Sequence, residues 1–212
     1  SILARIEKAR GLTAARESAA LYTAGGAPGQ MLQDLLDNEG IAQHPVEIDH
    51  LTRENLTFFE KTSGLQYRFG MPGPMVSESE WQRCIEALLE MNADYVVASG
   101  SLPPGVPDDF YATLSWQLTE NGSRVVIDTS GAALQACREA KAYLLKPNLR
   151  ELQQLTGREF SDENDIVTMA RELITRGMAE VLVISMGAQG ATLVSADDTV
   201  QMRPPVVPIK SK

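Results

Sequence analysis

The sequence is sparing with the residues that staple or metallate small folds: among 212 residues there are 2 cysteines and 2 histidines. Cys84 and Cys137 share no short spacing with each other or with His44 and His50. That excludes a zinc site of the C-x-x-C type and leaves two reduced, buried thiols as the expectation. Basic residues are scarce too. The 19 Lys+Arg are outnumbered by 28 Asp+Glu, for a formal charge of −9, and no Lys/Arg-rich run occurs. The phosphate-neutralising cations that nucleic-acid binding needs are therefore missing. No apolar stretch approaches the roughly 18 residues that span a bilayer. The start, Ser-Ile-Leu-Ala-Arg-Ile-Glu-Lys, has no basic flank and apolar core of a secretory signal, so a cytoplasmic protein is expected. The chain lacks an initial Met and ends Pro-Ile-Lys-Ser-Lys, which reads as trimmed or incomplete. Also absent are G-x-x-x-x-G-K-[ST], G-x-G-x-x-G, H-E-x-x-H and G-x-S-x-G, so any phosphate chemistry is not that of a Walker-type NTPase.

What is present suffices for a buried core: 43% of the residues are hydrophobic. Short, almost wholly apolar runs at Ala20–Ala24, Tyr95–Ser99, Val125–Asp128, Tyr143–Lys146 and Val181–Ser185 alternate with segments of helical period. The alternation predicts an α/β fold, with a mostly parallel sheet covered by helices on both faces. Helices are expected over Pro28–Asn38, Trp81–Met91 (opened by a Ser77–Glu80 capping box), Asp108–Asn121 and Asp165–Arg176 (opened by Ser161–Asn164). Trp81 and Trp116 stand at helical positions as expected core anchors. One segment breaks the pattern. Leu56–Lys61 and Leu65–Phe69 flank Thr62-Ser-Gly64, a β-hairpin signal, and residues 41–73 are expected to stand off as a lid within one domain spanning 1–212.

Ligands of open α/β sheets bind beyond the carboxyl ends of the strands. Four runs here end in polar or small residues: Ser99-Gly-Ser-Leu-Pro-Pro-Gly105, Asp128-Thr-Ser-Gly131, Lys146-Pro-Asn148 and Ser185-Met-Gly-Ala-Gln-Gly190. In a parallel sheet all four crowd one rim. Lys146 offers a cation there. Asn148 with Glu151 three residues on reads equally as a capping box or as a helix start that takes phosphate and hydrated Mg²⁺. The Ser185–Gly190 stretch reads either as a hairpin turn into Ala191–Ser195 or as backbone open to a nucleotide. Arg53, just before the hairpin, is a loop arginine that could fork onto a phosphate.

Taken in order and at these intervals, Ser-Gly-Ser-Leu-Pro-Pro-Gly (99–105), Val-Ile-Asp-Thr-Ser-Gly (126–131), Lys-Pro-Asn-x-x-Glu (146–151) and Val-Ile-Ser-x-Gly-x-x-Gly (183–190) closely resemble the phosphofructokinase B branch of the ribokinase-like sugar kinases. The resemblance runs from about Ala19 to Pro205. Thr52-Arg-Glu-Asn-Leu56 and Gln66–Gly73 look most like its minor bacterial 6-phosphofructokinases. It implies ATP- and Mg²⁺-dependent phosphorylation of fructose 6-phosphate at the C1 hydroxyl. Tagatose-6-phosphate or fructose-1-phosphate kinase, or a non-catalytic sugar-phosphate or nucleotide-binding module, are the alternatives. The resemblance further implies that Arg53 and Ser101 meet the sugar phosphate, that Lys146, Asn148, Ser185, Gly187 and Gly190 serve ATP, that Glu151 organises Mg²⁺ through water, and that the lid forms a homodimer interface. The family's general base, an Asp in a Gly-Ala-Gly-Asp segment, has no counterpart before Lys212. Its first strand and Gly-Gly-x-x-Asn motif have none before Ala19, with Ser1–Arg16 a poor match to the helix that follows them. A fragment missing both ends of the active site is the expectation.

Overall fold

Short apolar runs become strands and amphipathic runs become helices over most of the computed structural model, which describes residues 18–205. The reading of Ser1–Arg16 lies outside the described residues. Two compact units form. Among the described residues, one comprises those up to Glu90 with Pro103–Val106; the other comprises Met91–Leu102 and those from Pro107 to Pro205.

The first unit holds a βαβ element: strand β1 (Ala19–Ala24) and strand β2 (Ala42–Glu47) pair in parallel, connected by helix α1 (Gly26–Asn38), which packs on both. Gly25 leads into this helix because a Cβ there would lie 2.0 Å from the His50 carbonyl oxygen. Strands β3 (Asn55–Phe59) and β4 (Gln66–Gly70) form the expected antiparallel hairpin, with Leu56 opposite Phe69 and Phe58 opposite Tyr67. Helix α2 (Glu78–Met91) follows, burying Cys84 and Ile85.

The second unit is a six-stranded sheet of order β10-β9-β8-β7-β6-β5. Strands β5 (Tyr95–Ser99), β6 (Arg124–Asp128), β7 (Ala142–Leu145) and β8 (Ala179–Ser185) run parallel, β9 (Ala191–Val194) pairs antiparallel with β8, and β10 (Thr199–Met202) pairs antiparallel with β9. Helices α3 (Phe110–Glu120), α4 (Gly131–Ala136), α5 (Leu149–Thr156) and α6 (Glu163–Thr175) complete it. Helix α3 packs on β6 and β7, and α6 on β8 and β9. Val125, Ile127, Leu145, Leu182, Ile184, Leu114, Leu118 and Leu152 are each no more than 2% exposed and form the core.

Some expectations shift. Trp116 is 53% exposed, not a core anchor, because α3 turns Tyr111, Leu114, Ser115 and Leu118 inward, one face at helical spacing, and leaves Trp116 on the other side. Within the expected opening at Ser161–Asn164, Asp162 is the residue that caps α6, its side chain accepting from the Asp165 N–H. Both thiols are free and buried, as expected, and burial pushes Cys137 up to about 12, which removes it from thiolate chemistry.

At the start of α2 half of the capping box forms. Glu80 Oε2 accepts from the Ser77 N–H (2.6 Å) and the Ser77 hydroxyl (2.8 Å), whereas the Glu80 N–H turns to the Ser77 carbonyl. Glu80 Oε1 also accepts from the Asp49 N–H at 2.7 Å, tying the end of β2 to α2. These donors, the Ser77 N–H foremost, hold the Glu80 carboxyl below the usual carboxylate range. A depressed folded-state value gives stabilisation that is complete above the unfolded value, about 4.3, and is lost as pH falls through the folded one. Glu80→Gln is therefore expected to cost about 1 kcal/mol at pH 7. Thermal melts across pH 2.5–7 should show that deficit shrinking below about pH 4.

Candidate functional site

Parallel pairing sets the site. Ser99 pairs with Asp128, Ile127 with Leu145, and Leu145 with Leu182, so strands β5 to β8 finish at one edge. Hydrogen bonds then stitch the loops just beyond: Gly100 N–H to the Asp128 carbonyl (2.9 Å), Lys146 N–H to the Ile127 carbonyl (3.0 Å) and Ser185 N–H to the Pro147 carbonyl (3.0 Å). Asn148 and Ser185 continue the parallel pairing as a single bridge. The rim brings together Ser101, Asp128, Lys146, Asn148, Glu151 and Ser185, all within the second unit.

At the tip of β7, Lys146 Nζ lies 3.1 Å from Asp128 Oδ1, and both side chains are 41% exposed. Such a half-exposed pair contributes at most about 1 kcal/mol, so an incoming phosphate can take over the ammonium. Asp128 stands beside this cation as a partner that sequence reading left without a role; the signal was its position at the end of an apolar run.

Asn148 and Glu151 form a complete capping box. Asn148 Oδ1 accepts from the Glu151 N–H (2.9 Å) and Glu151 Oε2 accepts from the Asn148 N–H (2.8 Å). Helix capping thus accounts for both residues locally, while Glu151 Oε1 has no hydrogen-bond partner within the box. The described residues contain no group of three or more His, Cys, Asp or Glu placed to hold a metal. A Mg²⁺ ion suits this donor set all the same: Mg²⁺ keeps most of its waters and is commonly held by one or two carboxylates plus substrate phosphates, and Glu151 supplies one such carboxylate.

Ser185 ends β8 and leads into a 3₁₀ turn, Gly187–Gln189. Gly190 has φ +100°, and a Cβ there would meet the Met202 carbonyl oxygen at 1.9 Å. Its glycine identity follows from the close return of β10, and the β8–β9 hairpin matches the turn that Ser185–Gly190 suggested. Gly187, at φ +59°, sits in the left-handed region with open space where a Cβ would stand.

The Ser99–Gly105 loop is pinned from behind. The Gly100 carbonyl accepts hydrogen bonds from the Tyr111 hydroxyl (3.0 Å) and the Thr129 hydroxyl (2.9 Å). Gly100 itself has φ +116°, a conformation L side chains rarely adopt. Tyr111 and Thr129 are 7% and 5% exposed, whereas Ser101 is exposed. Neither hydroxyl stands out in sequence, because each reads there as an ordinary core or cap residue.

Arg53 belongs to the first unit and is exposed. Its neighbour Thr52 anchors that loop: the Thr52 hydroxyl accepts from the Gly25 N–H at 2.9 Å, and the Thr52 N–H donates to the Gly25 carbonyl at 3.0 Å.

Among known proteins, the chain is 40% identical over 178 residues to ATP-dependent 6-phosphofructokinase isozyme 2 of Mycobacterium tuberculosis, covering 83% of this chain and 52% of that protein. It is 36% identical to a 1-phosphofructokinase of Xanthomonas campestris, covering 88% of this chain and 60% of that one. The crystal structure of Escherichia coli phosphofructokinase-2 in complex with fructose-6-phosphate superimposes with a TM-score of 0.85 at 38% identity, over 91% of this chain and 64% of that chain. The chain thus spans between about half and two thirds of the length of these relatives. The α/β architecture with its mostly parallel sheet is that of the E. coli structure. The family model for pfkB family carbohydrate kinases matches residues 9–211. With four tip motifs on one rim and this match over nearly its whole length, the chain belongs to the pfkB family of carbohydrate kinases.

Proposed function

We propose that the protein containing this chain transfers the terminal phosphoryl group of ATP to the C1 hydroxyl of fructose 6-phosphate, giving fructose 1,6-bisphosphate. The observation that carries this reading is the convergence of Lys146, the capped start of α5 and the Ser185 turn on one sheet rim, in a chain whose sequence is nearer to a 6-phosphofructokinase than to a 1-phosphofructokinase. Phosphoryl transfer asks the protein mainly for positioning and charge neutralisation. Lys146 would neutralise the ATP phosphates after leaving Asp128. Asn148 would orient them at the positive end of α5, where free backbone N–H groups favour an anion, and Ser185, Gly187 and Gly190 would lie along the nucleotide. Ser101 is assigned to the phosphate of the sugar, and Arg53 keeps the role of a guanidinium forked onto phosphate. Glu151 would hold the waters of Mg²⁺, which when bound draws charge from the transferring group.

Substrate choice is tested by following ADP release from the whole protein with fructose 6-phosphate, tagatose 6-phosphate and fructose 1-phosphate. Fructose 6-phosphate should give the highest kcat/KM. A preference for fructose 1-phosphate would favour the 1-phosphofructokinase reading, and ligand binding without turnover would favour a non-catalytic module.

Glu151→Gln separates metal work from capping, since the amide oxygen still accepts from the Asn148 N–H. Mg²⁺-dependent turnover should fall at least about tenfold at an unchanged melting temperature, whereas Asn148→Ala should also cost about 1 kcal/mol of stability. Unchanged kinetics with a lowered melting temperature for Glu151→Gln would leave only the cap.

The β3–β4 hairpin is proposed as the interface between two copies. Leu56, Phe58, Tyr67 and Phe69 share one face, are 46–56% exposed, and include an edge-to-face Phe58–Phe69 pair with centroids 5.7 Å apart. A two-stranded hairpin is marginally stable in water, and a matching face from a second copy would bury this one. Light scattering should report a dimer for the parent and a monomer for Phe58→Glu. A monomeric parent contradicts the proposal.

A further inference from the structure

The peptide that joins Gly100 to Ser101 is held at its oxygen by two hydroxyls from different elements. Tyr111 comes from α3 and Thr129 from the loop after β6; both are buried, and both donate to the same carbonyl, at 3.0 and 2.9 Å. On its other side Gly100 is fixed by its N–H, which donates to the Asp128 carbonyl at 2.9 Å. A carbonyl oxygen has two lone pairs, so one donor leaves the peptide plane free to swing about that bond while two donors define the plane. The peptide is trans, since the described residues contain no cis bond. In a trans peptide the N–H points opposite to the C=O. With the oxygen drawn inward by two buried hydroxyls, the Ser101 N–H is therefore directed away from them. The Ser101 side chain is exposed and carries no hydrogen bond to another described residue.

From this geometry we infer that Thr129 and Tyr111 are positioning residues for the sugar-phosphate subsite, acting through the Gly100 carbonyl to aim the Ser101 N–H and hydroxyl at the anion. The inference rests on the reading of Ser101 as a sugar-phosphate contact and adds what sets its direction. Neither hydroxyl touches the substrate. Their contribution is the orientation of a donor that would otherwise have to be ordered on binding, at a cost in affinity. Glycine at position 100 belongs to the same device, because φ +116° is what lets the chain leave β5 with its carbonyl turned toward both hydroxyls.

Thr129→Val and Tyr111→Phe remove each hydroxyl while keeping shape. Steady-state kinetics of the whole protein with fructose 6-phosphate and ATP, varied in turn, is the test, with Ser101→Ala and Thr129→Ser alongside. Each of the two variants should raise KM for the sugar by about fivefold, leave KM for ATP and kcat within about twofold, and shift the melting temperature little. Thr129→Ser should restore the parent KM. Sugar KM unchanged in both variants while Ser101→Ala raises it overturns the inference and leaves the Ser101 reading standing. Parallel rises in KM for both substrates, or a lowered melting temperature with no kinetic change, also overturn it by marking the hydroxyls as structural. If the clamp variants raise sugar KM and Ser101→Ala does not, the clamp works through the Ser101 N–H and the side-chain assignment falls. A parent protein that turns over no sugar phosphate removes the functional reading and the clamp together.

Discussion

Parallel pairing obliges β5, β6, β7 and β8 to end at the same edge, and every functional placement in the second unit follows from that. The pairs Ser99–Asp128, Ile127–Leu145 and Leu145–Leu182 leave no slack in register. Shifting any strand by one residue would turn its buried set, such as Val125 and Ile127, toward the other face of the sheet. The cost of exposing that core is what keeps Lys146 beside Asp128 and Asn148 beside Ser185. The chemistry of the rim is thus held by apolar burial several residues away.

The charge pattern gains meaning on the same rim. A chain of net charge −9 repels phosphates at long range, so an anion site must be local. The proposed one consists of an ammonium already shared with a carboxylate, the N-terminal amides of a capped helix, and a loop whose peptide is held by two buried hydroxyls. None of these is strong alone. The weakness of the Lys146–Asp128 pair suits a cation that must change partner when a nucleotide arrives.

Much of this was legible in the sequence. Strands covered on both faces are apolar throughout, which is why β6 and β8 read clearly and why the tips could be aligned before any geometry; β5 reads the same way from its composition, although it is the sheet's edge strand with Tyr95 and Val97 54% and 63% exposed. The hairpin was legible from its alternation around Thr62-Ser-Gly64. Other parts were not. Strand β2 contains Pro45, tolerated because a strand at a sheet edge can spare a donor. Strand β10 is an exposed edge whose residues carry little periodic signal, and α4 is too short to show a helical stripe. The site was legible as a list of tips, but not as partnerships. That Asp128 meets Lys146, or that Tyr111 and Thr129 share one carbonyl, depends on contacts across 11 to 29 residues of chain that no local pattern encodes.

The four loops beyond β5 to β8 are proposed to form one phosphate-handling rim. Amide hydrogen exchange of the whole protein, with and without a non-hydrolysable ATP analogue and Mg²⁺, tests it directly. Nucleotide-dependent protection is expected to concentrate at 146–151 and 185–190, with fructose 6-phosphate adding protection at 99–102. Protection confined to the opposite ends of these strands, or absent from 146–151 while ligand is bound, would contradict it.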